Sequence, residues 1–245
     1  MKKVALITGS SRGIGRAAAL ELAKRGYAVA INYLTHQAEA EDLLDGLLRM
    51  GAQAAAFRAD VADRAQVRQM VGAAEKALGP VSLLVNNAGI APAGRVFQHM
   101  CDEEWNRALA VNLGGMRHAI LEVLPRMLEE KRGTIVNVSS VWGLRGASCE
   151  VTYACTKAAV VALTRSLALE LAPSNIRVNA VAPGCVDTDM VRALGRDTME
   201  DLARQTPLGR LGTPEEIARA IAFLGTEESA FITGQILTAD GGWTV

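Results

Sequence analysis

Short apolar runs alternate with longer amphipathic stretches along almost the whole chain. The apolar runs contain few polar residues, which is typical of parallel strands buried on both faces. They predict strands at residues 4–7, 28–32, 54–58, 83–85, 135–138, 177–181 and 235–238. The amphipathic stretches predict helices at residues 15–25, 38–50, 64–78, 103–129, 153–171 and 214–224. This alternation predicts an α/β Rossmann-type protein: a doubly wound, seven-stranded parallel sheet with helices on both faces and right-handed crossovers.

The stretch at residues 183–207 fits this alternation least well. It carries small and polar residues, and short helices are expected near Val191 and Met199. A flexible insertion beside a ligand cleft and an ordinary surface loop both agree with this composition. No internal repeat, low-complexity tract or linker divides the chain, so we expect residues 1–245 to form a single domain.

Composition narrows the classes of function. Half of the residues are hydrophobic and 21% are charged, which predicts a folded protein with a sizeable core. The 26 basic and 26 acidic residues cancel, so no nucleic acid or anionic membrane is expected as a partner. No apolar stretch approaches the roughly 20 residues of a membrane-spanning helix, so we expect a soluble protein of the cytoplasm. The cysteines lack the spacing of a disulfide framework and are expected to be reduced thiols.

A glycine-rich segment follows the first predicted strand and opens the first helix. It reads Thr8-Gly9-Ser10-Ser11-Arg12-Gly13-Ile14-Gly15. Glycines permit a tight turn and allow a phosphate to approach the backbone N–H groups at a helix N-terminus. The strand–loop–helix context favours a dinucleotide phosphate site over a plain glycine turn.

The end of the second strand bears on which dinucleotide is bound. An acidic residue there usually holds the ribose 2′-hydroxyl of NAD. This chain has Asn32 and Tyr33 instead, and the first carboxylate afterwards is Glu39, inside the next helix. Without a carboxylate at this position, a ribose 2′-phosphate would be repelled less, and Arg12 in the glycine loop could bind it as a cation. The pattern therefore favours NADP(H) over NAD(H).

Tyr153 and Lys157 lie one helical turn apart on a predicted helix, so the lysine ammonium can lie beside the tyrosine ring. A neighbouring positive charge favours the ionised phenol, so we expect a lowered Tyr153 pKa and acid–base chemistry near neutrality. Ser140, at the end of the fifth strand, could donate a hydrogen bond to an oxygen that gains charge. Strand alternation sends the neighbouring Ser139 to the opposite face.

The other residues with reactive side chains are scattered. His36, His99 and His118 are expected at the surface or on helix faces, and no cluster has the spacing of a metal site. Cys155 points away from the face of Tyr153, which predicts a place in the core. Cys185 follows a Pro-Gly pair; it could lie near the cofactor, but the pattern favours a small buried filler.

Together these motifs resemble the short-chain dehydrogenase/reductase family over essentially the whole chain. The resemblance rests on the glycine loop, Asp60-Val61, Asn86-Asn87-Ala88-Gly89, Asn112, Ser140, Tyr153, Lys157 and Pro183-Gly184, in that order. It implies that Tyr153 donates the proton in ketone reduction and that Ser140 binds the carbonyl. It further implies that Lys157 holds the nicotinamide ribose, while Asn112 positions a water. The cofactor contacts are expected at Gly9, Ser11, Arg12, Gly13, Ile14, Gly15, Asn32, Tyr33, Asp60, Val61, Asn87, Ala88, Gly89, Tyr153, Lys157, Pro183, Gly184, Val186 and Thr188.

Within the family, the NVSSV, VNAVAPG and TGQILTADGG segments are most similar to 3-oxoacyl-[acyl-carrier-protein] reductases. This implies an NADPH-dependent enzyme of fatty acid synthesis that assembles as a homotetramer. Acyl carrier protein is acidic, so cations are expected near the cleft, and Lys131 and Arg132 fit that expectation. A solvated helix C-terminus explains the same two residues. Pro173-Ser174-Asn175 departs from the group, which often has a basic residue there.

The substrate remains open at this point. Trp142, Leu144, Glu150 and residues 187–205 are expected to line its pocket. One alternative is an NAD(P)-linked dehydrogenase of a small secondary alcohol, ketone or sugar. A second alternative is a catalytically silent nucleotide-sensing module. The presence of Asn112, Ser140, Tyr153 and Lys157 argues against it, because such a module does not need all four side chains.

Overall fold

The computed structural model describes residues 3–245, and its centre is a seven-stranded sheet in which neighbouring strands all run parallel. The strand order is β3-β2-β1-β4-β5-β6-β7. The strands are β1 (Val4–Ile7), β2 (Ala28–Tyr33), β3 (Ala54–Arg58), β4 (Leu83–Asn86), β5 (Gly133–Val138), β6 (Ile176–Pro183) and β7 (Ile236–Ala239). The prediction of a doubly wound, seven-stranded parallel sheet is confirmed, with each predicted strand within one or two residues of its observed limits.

Helices cover both faces of the sheet. They are α1 (Gly13–Lys24), α2 (Gln37–Arg49), α3 (Arg64–Leu78), α4 (Asp102–Leu109), α5 (Gly115–Glu130), α6 (Trp142–Arg145), α7 (Val151–Leu171), α8 (Asp189–Arg192), α9 (Arg196–Gln205) and α10 (Pro214–Gly225). The short helices expected within residues 183–207 are α8 and α9. The single helix predicted at residues 103–129 is instead α4 and α5, joined by a π-helical turn, Ala110–Gly114.

Alternation along each buried strand divides the core into two layers. Val4 and Leu6 of β1 face α3, α5 and α7, whereas Ala5 and Ile7 face α1, α2 and α10. Because β1 is apolar on both faces, helices can cover it on both sides without burying polar side chains.

The strand order reverses between β1 and β4, which lie side by side at the centre of the sheet. Loops leaving the carboxyl ends of these two strands diverge to opposite sides, and in doubly wound sheets this divergence opens the ligand crevice. The predicted glycine loop follows β1, and the Asn86–Gly89 segment begins at the last residue of β4. The fold therefore places both motifs at the same crevice.

Candidate active site

The glycine loop has the backbone geometry of a phosphate cradle. Gly9 and Gly13 have positive φ angles of 62° and 55°. A Cβ on Gly15 would lie 2.5 Å from both Asn87 Nδ2 and Gly9 O, so a side chain there would displace the loop. Helix α1 begins without a side-chain cap at Arg12 and with no acidic residue in its first turn. Its free N–H groups and positive dipole end suit the pyrophosphate of a dinucleotide.

Side chains hold this loop against the loop that follows β4. Thr8 Oγ1 accepts hydrogen bonds from the backbone N–H groups of Asn87 (3.0 Å) and Ala88 (3.1 Å). Asn87 Nδ2 in turn donates to the carbonyl oxygens of Thr8 and Gly9. A Cβ on Gly9 would lie 2.9 Å from Ala88 Cα. The two loops therefore form one rigid floor for the crevice.

Asn32 supports the floor from the second strand. Its Oδ1 accepts from Gly9 N at 3.0 Å, and its Nδ2 donates to Ala59 O at 3.1 Å. The side chain is buried and turned inward, so the end of β2 presents no carboxylate to a ribose. Glu39, the first acid beyond it, lies 3.3 Å from His36.

Two arginines lie near this end of the crevice. Arg12 reaches across it to Asp189 of α8 at 3.2 Å, and both side chains are about half exposed. Arg58, which the sequence reasoning missed, pairs with Tyr33 in the β2–β3 register and donates to Leu34 O at 3.1 Å. The sequence could have indicated Arg58, because it is the last residue of the third predicted strand, which lies beside the end of the second.

Asp60 and Val61 form the wall beyond β3. Asp60 Oδ1 accepts from Ala62 N, and its Oδ2 accepts from Arg107 at 2.9 Å. Val61 is buried and packs so closely on α5 that a Cβ at Gly115 would lie 2.7 Å from its methyl group. These contacts fix the path of the backbone where an adenine ring is expected.

The predicted catalytic side chains meet at the other end of the crevice. Lys157 Nζ lies 5.5 Å from the centroid of the Tyr153 ring and donates to Val138 O at 2.9 Å. A Cβ on Gly89 would lie 3.4 Å from both Lys157 Nζ and Asn112 Oδ1. Lys157 and Asn112 therefore both approach the loop after β4 at Gly89.

Asn112 is fully buried in the π-helical turn. Its side chain exchanges hydrogen bonds of 2.8 Å with the N–H and C=O of Ile90, and it donates to Thr156 Oγ1 at 3.0 Å. The side chain is therefore committed to joining α7 to the loop after β4. π-helical turns of this kind are frequent at functional sites.

The two serines diverge as alternation predicts. Ser139 Oγ donates to Lys157 O at 2.9 Å and so holds α7 against β5. Ser140 Oγ accepts from Trp142 N at 3.2 Å, and its hydrogen bond with the Tyr153 hydroxyl favours a lower pKa for that phenol. Of the two hydroxyls, only that of Ser140 faces the tyrosine.

Burial controls the charges of the catalytic pair. It raises the pKa of Tyr153 to about 12, against the opposing effect of Ser140. Burial also lowers the pKa of Lys157 to about 8. The expectation of a lowered Tyr153 pKa is therefore wrong for the protein by itself, because lost hydration outweighs the hydrogen bond from Ser140. A phenol that stays protonated at neutral pH is suited to donating a proton.

The segment after β6 closes over the crevice. Val141 N donates to Pro183 O at 3.0 Å, and a Cβ on Gly184 would lie 2.8 Å from Asp240 Cα. Val186 forms an isolated bridge with Gly212. The methyl group of Thr188 lies 3.5 Å from the Cβ position of Gly13, which brings this segment to the glycine loop.

The expected substrate-pocket residues lie on α6, in the case of Trp142 and Leu144, and directly before α7, in the case of Glu150. Trp142 is half-buried, Leu144 is 41% exposed, and burial raises the pKa of Glu150 at the start of α7. Cys185 lies between Gly184 and Val186 and lines a cavity of about 570 Å³. It is partly exposed, so the expectation of a buried filler is wrong.

Two other expectations need correction. Cys155 is exposed on the outer face of α7 and does not lie in the core, because the side of a helix opposite a site can face solvent as well as protein. Lys131 and Arg132 precede β5, whereas Ser140 follows it. At ~3.3 Å per strand residue, they lie roughly 20 Å from Ser140, at the opposite edge of the sheet. They do not flank the cleft of their own chain, and Arg132 pairs with Glu227 at 3.2 Å.

Within residues 3–245, no helix is both long and apolar enough to cross a membrane. Nor does this part of the chain contain a group of three or more His, Cys, Asp or Glu side chains that could hold a metal ion.

Comparison with known proteins assigns the chain to a family. A family model described as enoyl-(acyl carrier protein) reductase matches residues 9–244. A 3-oxoacyl-[acyl-carrier-protein] reductase of Staphylococcus aureus (strain Mu50) is 41% identical over 242 residues, covering 99% of this chain and 98% of the relative. The chain belongs to the short-chain dehydrogenase/reductase family. It is accordingly an NAD(P)-dependent oxidoreductase acting on carbonyl or hydroxyl groups.

Solved structures of this family match the whole fold. A blue fluorescent protein from a metagenomic library, in complex with NADPH, has a TM-score of 0.93 and 37% identity, covering 99% of this chain and 98% of that one. A 3-oxoacyl-[acyl-carrier protein] reductase from Brucella melitensis with bound NAD has a TM-score of 0.90 and 36% identity, with coverages of 99% and 92%. The predicted family and fold class are confirmed. The roles of individual residues stay predictions.

Proposed function

We propose that this short-chain dehydrogenase/reductase reduces 3-oxoacyl thioesters carried by acyl carrier protein, with NADPH as the reductant. The observation that carries the proposal is the convergence of Ser140, Tyr153 and Lys157 beside the glycine-loop floor. The 41% identity to a 3-oxoacyl-[acyl-carrier-protein] reductase over nearly the whole chain supports this choice of substrate.

The chain's own residues account for the proton chemistry. A reduced nicotinamide dinucleotide supplies the hydride when it is bound. Ser140 Oγ hydrogen-bonds the substrate carbonyl, and Tyr153 donates a proton to the oxygen as negative charge develops there. The raised pKa of Tyr153 keeps that proton in place until it is needed. Lys157 is positively charged below its pKa of about 8 and stabilises the phenolate that results.

The cofactor preference rests on the end of β2. Asn32 is turned inward and no carboxylate faces a ribose 2′-substituent. Arg12 and Arg58 lie on either side of this region, and an arginine fork binds a phosphate more strongly than a hydroxyl. The solved relatives hold NADPH in one case and NAD in another, so the preference of this chain is argued from its own side chains. Two arginines and no carboxylate near the end of β2 favour NADPH.

We further propose a cytoplasmic homotetramer that accepts its substrate from acyl carrier protein. The outer face of α7 carries exposed small or apolar residues one or two turns apart, namely Cys155, Ala158, Ala162 and Leu169, with Arg165 between the last two. Leu169 is 81% exposed. Such a face suits close packing against the same helix of another copy. If acyl carrier protein docks, a carrier-linked substrate will show a lower KM than the same acyl group on pantetheine.

The decisive experiment is a panel of NADPH-oxidation assays with purified protein. Acetoacetyl-pantetheine, its carrier-linked form, small ketones and keto-sugars should be compared at equal concentration. We expect the acetoacetyl thioesters to give the highest kcat/KM. A higher value for a small ketone or sugar would reject the thioester assignment and support the alternative of a small-molecule dehydrogenase.

A further inference from the structure

The last residues of the chain form a compact turn, which we call the C-terminal clasp (residues 240–245). The carboxylate of Asp240 organises it. One oxygen accepts from Gly242 N at 3.0 Å, and the other accepts from Thr244 N at 2.9 Å and Thr244 Oγ1 at 2.6 Å. Although burial opposes this, the hydrogen bonds to Thr244 and Gly242 hold the pKa of Asp240 below its ordinary value. The clasp is therefore an ordered element.

The clasp contacts the segments that close the crevice. Gly184 N donates to Ala239 O at 3.1 Å, directly before the clasp, and Leu208 N donates to Gly241 O at 3.1 Å. A Cβ on Gly241 would lie 2.7 Å from Thr206 Cγ2, so no larger residue fits without movement. The clasp thus fills the space between the loop after β6 and the segment that follows α9.

The same clasp contacts α6, the helix that follows Ser140. The indole rings of Trp142 and Trp243 meet edge to face, with centroids 5.8 Å apart and planes at 84°. Arg145 donates to Trp243 O at 3.0 Å. A short helix of four residues has little stability by itself, so its position depends on its neighbours. One side of α6 packs on α7, where a Cβ on Gly143 would lie 2.6 Å from Lys157 C, and the clasp contacts hold it from another side.

Trp142 connects this packing to the catalytic serine. Its backbone N–H donates to Ser140 Oγ at 3.2 Å. A donor to that oxygen fixes where the oxygen lies and leaves the hydroxyl hydrogen to be donated, to Tyr153 in the protein by itself and to a carbonyl when substrate binds. Moving α6 would move the donor, and a displacement of about 1 Å at a catalytic group can cost up to a hundredfold in rate.

We propose that Trp243 is a positioning residue: through its contact with Trp142, the C-terminal clasp holds Ser140 Oγ in place for carbonyl binding. The inference rests on the proposed role of Ser140, but it does not depend on which carbonyl compound is the natural substrate. It assigns a function in catalysis to a residue that is remote in sequence from every motif of the site.

The test is a double-mutant cycle measured with a small β-keto ester and NADPH. Trp243→Ala should lower kcat about tenfold, with NADPH Kd and the KM of the ester nearly unchanged. Trp243→Phe retains an aromatic edge and should restore most of the rate. In a Ser140→Ala background, Trp243→Ala should have little further effect, because the residue acts through that hydroxyl.

Additive losses in the two backgrounds would overturn the proposal, as would an equal loss of NADPH affinity, since both indicate general structural damage. If Trp243→Ala does not fold, Trp243→Leu replaces it in the same cycle. Phe231→Ala, which removes a fully exposed aromatic ring, is the matched control and should leave kcat unchanged. Use of the β-keto ester keeps the result separate from the thioester assignment, which the substrate panel alone can reject.

Discussion

The buried ammonium of Lys157 should leave a measurable trace in the pH dependence of stability. The side chain is 3% exposed and burial lowers its pKa from 10.5 to about 8. Between these values the unfolded chain binds a proton that the folded chain does not, so the free energy of unfolding rises with pH across this window. Below pH 8 both states are protonated and the full cost of the buried charge is present. A shift of this size corresponds to roughly 3 kcal/mol.

The assay is urea unfolding of the wild type and of Lys157→Met at several pH values from about 7 to 10, followed by tryptophan fluorescence at one protomer concentration. Subtracting the two curves removes every other group that titrates equally in both proteins. The wild type should gain roughly 2 to 3 kcal/mol relative to the variant as the pH rises. Lys76→Met, which replaces an exposed lysine, is the control. If the difference in the free energy of unfolding between the wild type and Lys157→Met does not change with pH, burial does not lower the Lys157 pKa.

The other predictions concern the crevice and its cofactor. Gly15→Ala should lower NADPH affinity at least about tenfold, because its Cβ would lie 2.5 Å from Gly9 O. Gly72→Ala, on an open helix face, should leave NADPH affinity unchanged and raise the free energy of unfolding by up to ~1 kcal/mol. The same NADPH affinity in both variants would contradict the steric reasoning. NADPH should bind more tightly than NADH, and Arg12→Ala should narrow that difference several-fold in fluorescence titrations. Equal affinities in the wild type would reject the charge argument. Leu169→Glu should shift the sedimentation coefficient towards smaller species if the outer face of α7 joins copies, and an unchanged value would exclude that face.

Local patterns were sufficient for the elements and for the order of the motifs. The apolar runs predicted the strands because a strand covered by helices on both faces has to be apolar at nearly every position. The helical spacing of Tyr153 and Lys157 gave their proximity, and alternation gave the opposite directions of Ser139 and Ser140. These features depend on neighbours in sequence, so they can be recognised without coordinates.

Features that depend on distant contacts were not recognised. The π-helical turn at Asn112 interrupts a regular helical pattern because its side chain is held by Ile90 and Thr156. The raised pKa of Tyr153 results from burial, which the spacing to Lys157 does not reveal. Trp142 and Trp243 meet only because the chain returns to the site at its end. No periodicity in the sequence marks that contact.

The central claim is that Tyr153 delivers the proton in carbonyl reduction. It is tested most directly by steady-state NADPH oxidation with acetoacetyl-pantetheine, comparing the wild type with Tyr153→Phe, alongside NADPH binding to both proteins. We expect a fall in kcat of at least about a hundredfold, with NADPH Kd nearly unchanged. Turnover close to that of the wild type would contradict it and remove Tyr153 from the role of proton donor.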